Sequence, residues 1–391
     1  MDPFKNPYAP GAGAPPVELA GRDSLLEEVG IGLQRIKAGR HAKSFLLVGL
    51  RGVGKTVLLN RIAQDAEKQQ LVCLDIIEVR EDASLQSMLI PELHKALLGI
   101  SRIKRLKESV RHALNTLVGA ARSLQITYHD MTIGLDADSQ PLVPATGNLE
   151  SDLPAVFRAV GDVIKQKRTA LVILIDELQY AKRDELAALI VALHKCRQWQ
   201  LPITLVGAGL PQLAGNAGNA KSYAERVFDF PEIGKLDRVA ALRAIKVPAK
   251  RENVLFQPAA LDQILKHTEG YPYFLQEWGH HAWRVAKKSP IAVKDIKAAT
   301  KLAQQALDQS FFRVRYDRCT NRERKYLMAM ARLGPGRHRS GAIARSMKEY
   351  VSAVAPIRGN LIKKGMIYSP RHGLTEFTVP LFDAFMKRAM S

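Results

Sequence analysis

No stretch of this chain stays apolar for the roughly 18 residues that a bilayer-crossing helix needs. The longest apolar runs, such as residues 171–175, have the length of a buried strand. No membrane contact is expected. The N-terminus also lacks a basic start followed by an apolar block, so it does not read as a signal peptide. Residues 1–16 are rich in Pro, Gly and Ala and read as a flexible tail. Cysteine is scarce: Cys73, Cys196 and Cys319 lie far apart and match no metal-ligand spacing. They read as buried thiols in a reducing cytoplasm. Acidic residues are in deficit, 38 against 58 Lys and Arg, for a formal net charge of +20. Residues 311–391 alone hold 17 Lys and Arg against 5 Asp and Glu, a surplus of 12. A positive field concentrated there attracts polyanions such as nucleic acid; the plainer reading is a solvated basic surface. At 391 residues the chain is too long for one ordinary core, and two or three domains are expected.

The most informative local pattern begins with a short apolar run, residues 44–48, which reads as a buried parallel strand. Gly49, Leu50, Arg51, Gly52, Val53, Gly54, Lys55 and Thr56 follow at once. From Val57 onward the spacing is helical. Strand, G-x-x-x-x-G-K-T and helix form the context of a phosphate-binding loop. The glycines let the backbone curl so that successive N–H groups face phosphate oxygens. The helix start adds roughly half a positive charge. Lys55 then reaches the β- and γ-phosphates of ATP, and the Thr56 hydroxyl is a ligand for Mg²⁺.

A second apolar strand, residues 170–175, ends in Asp176 and Glu177. Two carboxylates at the end of a buried strand require a counter-charge. Mg²⁺ carried with ATP supplies it, with Asp176 on the metal side and Glu177 as the base for the attacking water. The plainer alternative is an acidic helix N-terminus. Residues 71–77 and 202–207 read as further strands of the same sheet, and about 120 residues separate the two motifs.

With these motifs the chain resembles the AAA+ and STAND ATPases, especially the origin-recognition-type and archaeal branch, over roughly residues 17–300. Leu19, Ala20, Gly21, Arg22 and Asp23 resemble the box that opens this family and lies near the adenine. Asp176, Glu177, Leu178 and Gln179 resemble its "DE-x-Q" form of Walker B. Residues 205–210 occupy the sensor 1 place, where most AAA+ proteins carry a polar side chain and this chain has Gly207, Ala208 and Gly209. Residues 222–230 resemble the box carrying an arginine finger. That resemblance implies that Arg226 reaches the γ-phosphate of a neighbouring copy in an ATP-dependent homo-oligomer; an internal salt bridge is the alternative. Gly270, Tyr271 and Pro272 resemble the "G-x-P" motif that STAND switches set against the nucleotide, with Pro272 where most AAA+ proteins have a sensor 2 arginine. Pro272 also suits the first turn of a helix on steric grounds alone.

Residues 81–153 exceed one crossover, with helices expected over 84–98 and 103–124, a short hairpin over 125–135 and a loop over 136–148. Four helices are expected over 237–245, 258–267, 272–286 and 293–307. His280 and His281 are adjacent, point in different directions on a helix and read as packing residues. Toward the C-terminus, helices over 321–328, 340–347 and about 356–364 precede strands over 365–368 and 375–379. That order resembles a winged helix-turn-helix. It implies duplex DNA as a partner through Arg358, Lys363 and Lys364 on or near the second helix of the pair and Arg371 at the wing tip. Winged helices also serve as protein contacts.

The expectation is therefore an α/β chain: a P-loop NTPase core with a parallel sheet of the AAA+ type (residues 17–235), a helical lid (236–310) and a C-terminal winged helix (311–391). Three functions fit: an ATP-hydrolysing switch acting on DNA, a STAND-type module signalling to a protein, and a scaffold that binds nucleotide without hydrolysing it.

Overall fold

The computed structural model describes residues 1–11, 13–101, 103–126 and 146–389. The hairpin expected over 125–135 and the loop over 136–148 lie largely outside the described residues. The core runs α1 (Asp23–Lys37), β1 (Ser44–Val48), α2 (Lys55–Lys68), β2 (Val72–Cys73), β3 (Ile77–Glu78), α3 (Leu85–Ser101), α4 (Lys107–Ser123), α5 (Leu149–Gln166), β4 (Leu171–Asp176), α6 (Arg183–Gln198), β5 (Ile203–Gly209), α7 (Gln212–Ala220), α8 (Ala224–Val227) and β6 (Phe228–Asp229). The strands form one parallel sheet in the order β2-β4-β5-β1-β6, with β3 also on β4.

Strands β1, β4 and β5 are buried along their whole length, as continuous apolar sequence requires. Alternate residues serve opposite faces. Phe45, Leu47, Val172 and Leu174 pack with α1 and α2, while Leu46, Leu171, Ile173 and Ile175 pack with α3, α5 and α6. The strand expected over 71–77 is broken. Val72 and Cys73 pair with Leu171 and Val172, but Ile77 pairs with Ile175, so one extra residue bulges out of this edge of the sheet.

The segment expected to be a lid forms α9 (Arg238–Arg251), α10 (Pro258–Thr268), α11 (Pro272–Val285) and α12 (Val293–Leu307). Asp237 caps α9 by accepting from the Ala240 N–H at 2.8 Å, and Pro272 opens α11 at its first position. Residue 310, taken from the sequence as a domain boundary, falls inside a helical rod: α12 continues through a π-helical turn, Asp308–Phe312, into α13 (Arg313–Asp317). The C-terminal module then runs α14 (Asn321–Arg332), β7 (His338–Arg339), α15 (Ser340–Met347), α16 (Val351–Lys363), β8 (Ile367–Tyr368), β9 (Leu374–Phe377) and α17 (Phe382–Ala389), with an antiparallel sheet β7-β9-β8. Lid and module share one apolar core, from Trp278 and Leu275 through Phe312 to Phe385 and Ile357.

The N-terminal segment is not the flexible tail its composition suggested. Tyr8 is 2% exposed, and its ring fills the space that a side chain at Gly279 would take. Its hydroxyl donates to the Ile245 carbonyl at 2.5 Å, the Trp283 indole N–H donates to the Asp2 carbonyl, and the Met1 ammonium donates to the Ala286 carbonyl. Burying a ring of that size contributes about 2 kcal/mol, enough to hold a short segment down. Pro, Gly and Ala content measures local freedom and carries no information about a slot on α11. Among the described residues, no helix is long and apolar enough to cross a membrane.

Candidate functional site

A cavity of about 450 Å³ opens where the sheet, the lid, the N-terminal segment and the start of the C-terminal module meet. Its floor is the loop between β1 and α2. Gly52 and Gly54 adopt left-handed φ of 78° and 91°, which a side chain would oppose, and the turn they make points the head of α2 into the cavity. Lys55 is 7% exposed; its ammonium donates to the Gly49 and Leu50 carbonyls at 2.9 Å. Burial pulls its pKa down to about 8, against the opposing pull of Glu177 and Asp176. The Thr56 hydroxyl donates to Asp176 Oδ2 at 2.6 Å, tying the head of α2 to the end of β4. Burial raises the Asp176 pKa, and the Thr56 hydroxyl and the Glu177 N–H oppose that rise.

Glu177 has a left-handed φ of 51°. For a residue with a Cβ this costs on the order of 1–2 kcal/mol, a kind of strain that collects at working sites. The turn brings its carboxylate to the cavity wall, where two neighbours hold it: Gln179 Nε2 donates to Oε2 at 2.5 Å and Arg51 Nη1 lies 3.4 Å from Oε1. Arg51 Nη2 donates in turn to the Tyr180 hydroxyl at 2.8 Å. Gln179 Oε1 also accepts the Leu210 N–H at 2.9 Å, just past β5. A side chain at Gly209 would collide with that same oxygen at 2.7 Å. The missing polar residue at the end of β5 thus has a physical counterpart: Gln179 occupies the space and links the strand end to Glu177. Its position after "DE" was visible in the sequence, but its double contact was not.

The other expected residues divide. Pro272, Arg22, Val53 and Val57 line the cavity. Arg22 donates to the Gly234 carbonyl at 2.5 Å and to the Val53 carbonyl at 3.4 Å, and Gly21 turns at a φ of 68° against Ala240 of α9. Residues that sequence reading missed complete the walls. Pro10 and Gly13 of the N-terminal segment line the cavity, with Gly13 close over Thr56. Tyr273, Phe311 and Arg315 line it from the lid and the C-terminal module. Arg226 is absent from the lining: its side chain is 81% exposed on α8, with Glu225 at 3.8 Å.

The basic residues expected to meet DNA also divide: two make internal hydrogen bonds and two stand exposed. Arg358 points inward, donating to Thr375 Oγ1 at 2.9 Å, Ser369 Oγ at 2.7 Å and the Leu374 carbonyl at 3.1 Å. Lys364 donates to Glu323 Oε2 at 2.7 Å and the Arg318 carbonyl at 2.9 Å. Helix periodicity placed both correctly along the chain but could not show that β9 and α14 offer acceptors. Lys363 and Arg371 are exposed, Lys363 on the rim of a cleft between core and module.

The residues present suit a nucleotide with a divalent ion. A hydroxyl and one carboxylate, 2.6 Å apart at a helix head, are hard oxygen donors of the kind Mg²⁺ shares with phosphates and water. No cluster of three His, Cys, Asp or Glu side chains suited to a metal occurs among the described residues, so such an ion would depend on the phosphates.

The Lys55 pKa gives a pH prediction. Phosphate oxygens beside the ammonium raise its pKa, so binding above about pH 8 takes up a proton. Affinity for Mg·ATP is expected to be level below that pH and to weaken as pH rises through it, by up to about tenfold per unit. Calorimetry at pH 7 and 9 in buffers of different ionisation heat measures both effects; an unchanged Kd with no proton uptake at pH 9 would contradict it.

Comparison with known proteins adds family and fold. Residues 18–206 match the AAA ATPase domain family, and residues 309–386 match a family described as a domain of unknown function. No curated protein matches the sequence. Among solved structures, the chain is similar to the Walker-type ATPase paby2304 of Pyrococcus abyssi, with 16% identity, 94% of this chain and 96% of that one covered, and a TM-score of 0.59. It also aligns with the Aeropyrum pernix Orc1 protein in complex with DNA (14%, 96% and 93%, TM-score 0.48). The Thermotoga maritima RuvB Holliday junction branch migration motor aligns as well (15%, 94% and 95%, TM-score 0.46). At 16% identity the likeness to the Pyrococcus abyssi ATPase is one of fold.

Proposed function

We propose that this chain, whose residues 18–206 match the AAA ATPase domain family, is a Mg·ATP-hydrolysing P-loop switch of the AAA+ type that acts on duplex DNA through its basic C-terminal module. One observation carries the hydrolytic part: Lys55, Thr56 and a strained, clamped Glu177 line one cavity, and Asp176 stands behind Thr56, accepting its hydroxyl at 2.6 Å. Thr56 and Asp176 would hold Mg²⁺, which would offset the charge of the β- and γ-phosphates. Lys55 and the amides of the loop bind phosphate oxygens. Glu177 accepts a proton from the attacking water. The water oxygen bonds to the γ-phosphorus as the bond to the β–γ bridging oxygen breaks, leaving ADP and phosphate. Gln179 and Arg51 position Glu177 for that transfer. Arg226, exposed and clear of its own cavity, is free to serve a neighbouring copy.

The reading of the C-terminal module as a winged helix rests on the order α14, β7, α15, α16, β8, β9. With Arg358 and Lys364 committed internally, phosphate contact falls to the wing and its neighbours, Arg371 and Lys363. Replacing both with Ala is expected to weaken duplex binding uniformly across sequences and to flatten the salt slope by about 2, roughly one per lost phosphate contact. A filter-binding salt titration measures it, and an unaltered slope removes these residues from the interface.

A second reading has its own support. The outward side of α16 and its approach is apolar and weakly charged: Tyr350 is 85% and Val351 49% exposed, with Ala355 and Pro356 alongside. That surface suits a protein partner. Phosphate release with and without duplex DNA, paired with mass in ATP and in ADP, separates the two. DNA-stimulated turnover supports the first; ATP-dependent assembly without DNA affinity supports the second. A folded chain that releases no phosphate under any of these conditions would end both.

A further inference from the structure

We infer that Arg315, from the start of the C-terminal module, contacts the terminal phosphate of bound ATP and so makes that module a reader of the nucleotide state. The inference rests on the nucleotide reading of the cavity and extends it to a residue outside the AAA ATPase domain.

The cavity wall at this point is built by a distinct local device. The π-helical turn Asp308–Phe312 inserts an extra residue between α12 and α13 and turns Phe311 toward the phosphate-binding loop. Phe311 stacks on Tyr273 with ring centroids 4.6 Å apart, and the Tyr273 N–H donates to the Gly52 carbonyl at 3.1 Å. Arg315, one helical turn on, lays its guanidinium over the Phe311 ring at 4.1 Å from the centroid and donates to the Phe311 carbonyl. A chain of contacts therefore runs from the phosphate-binding loop through two aromatic rings to one cation.

That cation lacks an anionic partner. Among the described residues Arg315 makes no ion pair, whereas Arg313 lies 3.0 Å from an Asp317 oxygen and Arg324 3.7 Å from the other. Charged groups of the cavity wall act on it. Burial and the neighbouring Arg51 pull its pKa down to about 10, and Glu177 acts in the opposite direction. The Glu177 carboxylate itself is held by Arg51 at 3.4 Å. A desolvated, unpaired cation is costly unless an anion joins it. Lys55, Thr56 and the head of α2 form the floor, where the proposed function puts the phosphates. Arg315 and Glu177 line the same cavity, and a γ-phosphate directed at Glu177 for hydrolysis would approach Arg315 too. A phosphate group there gives Arg315 a charge-assisted partner that ADP lacks.

The test is calorimetry on the full chain with a non-hydrolysable Mg·ATP analogue and with Mg·ADP, for wild type, Arg315→Ala and Arg315→Lys, with Arg313→Ala as a neighbouring control. Arg315→Ala is expected to lose about tenfold or more in affinity for the triphosphate and less than about threefold for ADP, with Arg315→Lys between, since the lost interaction is one charge-assisted bond. Arg313→Ala should match wild type for both. A merely structural Arg315 lowers both affinities together, and an uninvolved one alters neither; either result overturns the inference. Should the alanine variant fail to fold, the triphosphate-to-diphosphate ratio of Arg315→Lys decides on the same terms. Wild-type protein that binds neither nucleotide refutes the nucleotide site itself, and this inference with it.

Discussion

Glu177→Gln is expected to leave Mg·ATP bound and to slow its hydrolysis by at least roughly 10²-fold. The amide is nearly the same size as the carboxylate, so the floor of the cavity keeps its shape and Lys55 keeps its partners. What disappears is the carboxylate to which the proposed function gives the proton of the attacking water. The structure shows how much holds that acceptor in place: a left-handed backbone at φ 51°, the Gln179 amide at 2.5 Å and the Arg51 guanidinium at 3.4 Å. A carboxylate that was only a helix-start acid would need none of these. Single-turnover phosphate release measured beside nucleotide binding tests the point. Undiminished release by the variant would remove Glu177 from the role of base.

Lys55→Ala should cost more in binding than any other single change, at least roughly 10²-fold in affinity for Mg·ATP, with turnover lost in consequence. The ammonium is buried and donates to two loop carbonyls, so its removal strips the site of a cation and leaves the Gly49 and Leu50 carbonyls short of a donor. Loss of binding could then follow from a misshapen loop. A thermal melt distinguishes the two: a melting temperature within a few degrees of wild type, together with lost binding, assigns the effect to the missing charge. Binding by the variant within about threefold of wild type would mean that the phosphates sit elsewhere.

Both predictions concern residues legible in the sequence, because the signals that mark them are local. A buried strand, a glycine turn and a helix start lie within about twenty consecutive residues, and β4 announces its own end in Asp176 and Glu177. The four helices after the core were legible for the same reason: 3.6-residue periodicity is short-range, and α12 falls on Val293–Leu307 as the pattern indicated. Errors arose where local composition stood in for distant contacts. Tyr8 docks on a helix more than 270 residues away. Arg358 and Lys364 looked like outward charges until β9 and Glu323 supplied acceptors.

The sequence by itself determined that this chain would build a phosphate-binding loop on a buried parallel sheet and set two acids at the end of a neighbouring strand. Backbone conformation and strand burial depend on near neighbours, and those are written in order. Only the tertiary structure decided what closes the site: the N-terminal segment laid over Thr56, Gln179 spanning two strand ends, and Arg315 brought in from the C-terminal module. Each of these depends on which surfaces meet after the chain has folded, and the spacing of residues along a sequence does not encode that meeting in any local pattern.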